Sequence, residues 1–141
     1  MKKLLFALLL ATTLTACGGD SGGDSTLSPT PSVNATGTWH GSYNSSISGA
    51  HTMTLNLQQN SASVTGTYSS STGALGSVSG SVSGDIARVT ITVTTPGCSG
   101  SFGGTGIIAT PQSGTATMIF SYSGSSTCGG QESGTGYLTK Q

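Results

Sequence analysis

The sequence predicts an all-β protein: a single eight-stranded antiparallel up-and-down β-barrel, with a Greek-key β-sandwich as the alternative. Three observations predict it. From Gly37 onward, apolar residues alternate with Ser and Thr in short runs. Gly, Ser, Asn and Pro break those runs at roughly 8- to 15-residue intervals, the spacing of strands joined by turns. No segment of useful length beyond the N-terminal region has a helical period, so no helix is available to cover the apolar face of the sheet. A sheet with one apolar face must then cover itself.

The expected strands run in order. Gly37–Asn44 places Trp39 and Tyr43 on one face, and Thr52–Gln59 does the same for Met53, Leu55 and Leu57. Ser63–Ser69 pairs Val64 with Tyr68, and Gly76–Ser83 pairs Val78 with Val82. Ala87–Thr95 has the clearest alternation, with Ala87, Val89, Ile91 and Val93 opposite Arg88 and three threonines. Ser101–Ala109, Thr115–Tyr122 and Gly134–Lys140 complete the set, the seventh placing Ala116, Met118, Phe120 and Tyr122 together. Sequential strands with short connections favour the up-and-down barrel, which needs no long crossover. Closure also removes edge strands that would otherwise be open to aggregation.

The expected connections alternate in length. Residues 60–62, 84–86 and 110–114 are read as short turns, and 45–51, 70–75, 96–100 and 123–133 as longer loops gathered at one end. Cys98 and Cys128 both fall in the second group, so the barrel topology brings them to one rim, where a disulfide needs them.

The N-terminal region has a different character. Lys2 and Lys3 precede an apolar run from Leu4 to Ala11, too short to span a bilayer, which takes about 20 apolar residues. Leu14-Thr15-Ala16-Cys17 follows and resembles the bacterial lipobox, covering all four of its positions. The resemblance implies a signal peptide over residues 1–16, cleavage before Cys17 and lipid on that cysteine. Gly18, rather than Asp, follows the cysteine, which in double-membrane bacteria implies the outer membrane. Residues 17–36 read as the lipidated N-terminus and a Gly/Ser/Pro-rich linker, and 37–141 as the barrel domain. Cysteine usage agrees with an envelope address. Cys17 takes lipid, and Cys98 and Cys128 remain as a pair in an oxidising compartment.

Gly37-Thr38-Trp39 is similar to the first strand of two barrel families. Lipocalins carry Gly-x-Trp there, with the Trp closing the barrel floor. Avidins open with Gly-Thr-Trp and carry Thr-Gly-Thr-Tyr on the third strand, as Thr65-Gly66-Thr67-Tyr68 does here, with Ser70 where avidins often place a serine on the biotin ureido group. Gly41 stands where avidins have an asparagine, and Trp39 is the one tryptophan in the chain. The resemblance implies barrel architecture and argues against biotin.

Composition narrows the function. After the expected cleavage the basic residues are Arg88 and Lys140, against Asp20, Asp24, Asp85 and Glu132. Without a basic patch to neutralise phosphates, nucleic acid is not an expected partner. Asp85 and Glu132 fall at opposite ends of the expected barrel, and no serine sits in a nucleophile elbow, so no catalytic residue is nominated. His40 faces outward and His51 inward by strand parity, so they cannot share a metal, and no metal or cofactor is expected. The leading expectation is a non-enzymatic, lipid-anchored envelope protein acting as an interaction or structural module through the cysteine-bearing rim. The alternative is a small-ligand-binding barrel using Tyr43, His51, Tyr68, Ser70 and Tyr122 at its mouth. An open interior lined by these residues favours the second expectation, and a filled one excludes it.

Overall fold

The computed structural model describes residues 29–141; the expected signal peptide, Cys17 and most of the expected linker lie outside the described residues. Alternation translates directly into strands: β1 Gly37–Ser45, β2 Gly49–Asn60, β3 Ser63–Ser70, β4 Leu75–Ser83, β5 Ile86–Thr95, β6 Cys98–Ala109, β7 Thr117–Ser126 and β8 Gly130–Lys140. Each pairs antiparallel with the next, and β8 returns to β1, so the sheet closes as an eight-stranded up-and-down barrel.

Register follows the apolar pattern because a one-residue slip would turn every inward side chain outward. Trp39 pairs with Leu55, Leu55 with Tyr68, Val78 with Ile91 and Met118 with Leu138. On β5, Ala87 and Val93 are buried and Val89 and Ile91 pack against the core, while Arg88, Thr90, Thr92 and Thr94 face out.

One expectation is corrected. The connections at the cysteine end are not long: they comprise residues 46–48, 71–74, 96–97 and 127–129, and the longest connection, 110–116, lies at the opposite end. The strands extend through the Ser/Gly segments read as loops. β7 and β8 stay paired from Ser123↔Ser133 to Ser126↔Gly130, and β5 and β6 to Thr95↔Cys98. The reason is that a ladder is made by backbone groups, which Ser and Gly carry in full. Side-chain size and polarity hide these residues from a hydrophobic pattern, not from a hydrogen-bonded one. The shared rim for the two cysteines survives the correction: they are joined, with Cα atoms 5.3 Å apart.

Inward glycines serve two separate purposes. A Cβ at Gly41 would strike the carbonyl oxygen of Tyr137, one at Gly66 that of Asn56, and one at Gly80 that of Arg88. There the neighbouring strand coils into the space a side chain would take, so glycine permits the bend. At Gly104 the nearest atom is the Ser121 carbonyl oxygen at 3.4 Å, an ordinary contact, so that glycine leaves usable room inside the barrel.

The end opposite the cysteines is closed by packing. Trp39 is fully buried and donates its indole N–H to the Ala35 carbonyl at 2.8 Å. Val64, Val82, Ile108 and Leu138 are buried with it. Residues 29–36, expected as linker, are tied across this floor. Ala35 is fully buried, its N–H donating to Gln59 Oε1 at 2.7 Å, while Gln59 N–H donates to Thr36 Oγ1 at 2.9 Å. Ser32 N–H donates to the Gly84 carbonyl at 2.8 Å, and Val33 packs on the core. The packed unit therefore starts before Gly37. Lys140 sits with its ammonium 5.7 Å from the Trp39 ring centroid, a cation–π placement, and donates to the Asn34 carbonyl at 3.2 Å.

Candidate ligand-binding cavity

The floor is filled, but the other half of the barrel is hollow. A cavity of about 360 Å³ occupies it, within the ~300–1,000 Å³ span of small-molecule sites. The hollow follows from how inward residues are distributed. β2, β5 and β7 contribute Leu55, Ile91, Val93 and Phe120, whereas β6 contributes Gly104 and Gly106 with Phe102 as its bulky residue. Large side chains surround the space that Gly104 leaves, whereas Met118 fills the space beside Gly106.

Near the cysteine end the lining turns aromatic and hydroxylic. Tyr43, Tyr68 and Tyr122 all line the cavity. The Tyr43 hydroxyl meets Ser70 Oγ at 2.9 Å, and the Tyr122 hydroxyl donates to Glu132 Oε1 at 2.6 Å. Tyr122 is edge-on to Tyr43, centroids 5.9 Å apart, and to Phe102 at 6.1 Å, geometries that favour aromatic pairs. These contacts fix ring positions, so the mouth is preorganised. Burial, with the Glu132 carboxylate beside it, holds the Tyr122 phenol well above the ordinary tyrosine range; burial does the same for Tyr68. Both therefore remain protonated donors at any physiological pH.

The expected mouth residues are brought together with one qualification. Tyr43, Tyr68 and Tyr122 line the space directly, and Ser70 reaches it through Tyr43. His51 stands beside Tyr43, ring centroids 5.6 Å apart, and is occupied by Ser48 Oγ at 3.0 Å from Nε2, so it braces the wall rather than facing the cavity. His40 lies on the outer face against Thr54 Oγ1 at 3.0 Å. Among the described residues no group of three His, Cys, Asp or Glu is placed to hold a metal.

Sequence reasoning missed Phe102 and Glu132, both of which line the cavity. Strand parity placed Phe102 inward with Gly104, and that signal was there to use. Glu132 lay in a segment read as loop, where parity is not defined; it belongs to β8 and faces in. The Cys98–Cys128 disulfide also borders the opening, tying the start of β6 to the β7–β8 turn. No protein-family model and no curated protein sequence matches this chain.

Proposed function

We propose that this protein binds a small, predominantly apolar molecule inside its barrel, entering at the cysteine-stapled mouth. The single observation that carries the reading is the hollow upper barrel: about 360 Å³ walled by aliphatic and aromatic side chains, with hydroxyls concentrated at one end. A barrel whose only task is structural gains nothing from empty apolar volume, since each unfilled space forfeits packing energy. This weighs against a purely structural module acting through its rim.

The resemblance to avidins and lipocalins supports a carrier architecture but not biotin. Gly41 supplies no side chain where avidins place an asparagine, and the Tyr137 backbone occupies that space. Ser70 is engaged with Tyr43 rather than free for a ureido group.

Binding is tested by titrating the purified protein with a neutral apolar fluorophore. Saturable, one-to-one enhancement is expected. Gly104→Leu projects a side chain into the cavity without striking backbone. It is expected to weaken binding by at least about tenfold, or 1.4 kcal/mol, while the fold is kept. No saturable binding by the wild type sinks the proposal.

The lipobox at Leu14-Thr15-Ala16-Cys17 supports an envelope address, with lipid on Cys17 and the outer membrane as destination. Residue 29 lies at the closed floor, where Ser83 Oγ donates to the Pro29 carbonyl at 3.2 Å. The proposed tether therefore joins the barrel at its floor end, opposite the mouth. Labelled palmitate is expected to enter the wild-type protein and not Cys17→Ala; equal labelling of both rejects the anchor.

A further inference from the structure

We infer that the cavity selects a small organic cation: a protonated amine on an apolar, preferably aromatic body, its ammonium held by Glu132. This rests on the proposed ligand-binding reading and names the ligand class for the same site.

Four observations carry it. Glu132 is the one acidic side chain on the cavity wall. Tyr122 is its one side-chain hydrogen-bond donor among the described residues, bound to Oε1, which leaves the carboxylate with acceptor capacity. Among the described residues no cationic side chain balances it: Arg88 is exposed on the outer face of β5, and Lys140 lies at the floor over Trp39. The titratable groups that share the cavity wall with it are the Tyr43, Tyr68 and Tyr122 phenols, while His51 is turned to Ser48 and does not line the cavity. The Tyr122 ring stands against the carboxylate, and Tyr43, Phe102 and Phe120, which also line the cavity, each pack against Tyr122.

The chemistry of these groups converges. A half-buried carboxylate without a counter-ion attracts a cation more strongly than a solvated one does. Aromatic faces add cation–π attraction, strongest where water is excluded. The same charge repels carboxylate ligands, so the site discriminates by rejection as well as by attraction. Tyr122 fixes the carboxylate in place, sparing the ligand the entropy of ordering it.

The test uses three ligands of nearly equal shape: 2-(1-naphthyl)ethylamine, 2-(1-naphthyl)ethanol and 1-naphthylacetate. Each is titrated at neutral pH by calorimetry into wild type and Glu132→Gln, which keeps an acceptor for Tyr122. In the wild type the amine is expected to bind roughly ten- to hundredfold tighter than the alcohol, the increment of a charge-assisted hydrogen bond, with the acid weakest. In Glu132→Gln that ratio is expected to fall to about one. An alcohol that binds the wild type as tightly as the amine overturns the inference and leaves the ligand-binding reading standing. So does an amine preference that survives in Glu132→Gln. If none of the three binds the wild type and the neutral fluorophore also fails, both readings fall. The wild-type ratio alone decides the matter should Glu132→Gln not fold.

Discussion

Replacing Trp39 with alanine is expected to cost about 3–5 kcal/mol of unfolding free energy, the range for truncating a fully buried large aromatic. Three losses combine. The indole is entirely buried among floor residues that cannot collapse into its place, because closed ladders hold β1 against both β2 and β8. Its N–H bond to Ala35 disappears, leaving a buried carbonyl without that donor. Lys140 loses the ring beneath its ammonium. Trp39 is the only tryptophan, so the denaturation midpoint is read by circular dichroism rather than fluorescence. A loss below about 1 kcal/mol, typical of a surface change, would mean that the floor does not hold the barrel together.

Replacing Cys98 and Cys128 together with serine is expected to cost about 3–4 kcal/mol, the chain-entropy value for a loop of this size. For a domain near 100 residues this lowers Tm by roughly 10–20 °C. The effect acts through the unfolded chain. In the folded protein the two segments are already held by Gly100↔Ser126 pairing, by Thr127 N–H on the Ser99 carbonyl at 2.8 Å and by Ser99 N–H on Thr127 Oγ1 at 3.0 Å. The double variant should therefore keep native circular dichroism at low temperature while melting early. Reduced wild type should melt with it; a reduced wild type as stable as the oxidised one contradicts the expectation.

The barrel was legible in the sequence because burial imposes a period of two on residues large enough to display it. Ala87, Val89, Ile91 and Val93 read as one face, and that is the face that turns inward. The cysteine pair was legible through topology, which needs only which end each residue occupies. Strand ends at the mouth were not. From Ser123 to Ser133 the chain is built of small and polar residues whose pairing is purely backbone, and Glu132 was lost with them. The floor was hidden for the opposite reason: Val33 and Ala35 are isolated apolar residues in a Pro- and Ser-rich stretch, and only contact with Trp39 and Gln59 gives them a role. The hollow could not be read at all from the order of residues. It depends on whether the neighbouring strand fills the space beside each inward glycine, as at Gly41 and Gly80, or leaves it empty, as at Gly104.

The central claim is that the barrel is a container. Its most direct test is the electron density inside a crystal of the protein purified from its native envelope without added ligand. The account predicts continuous non-protein density between Phe102, Phe120 and Tyr122, with a polar end at Glu132. An interior closed by repacked side chains, with no room beside Gly104, would contradict it.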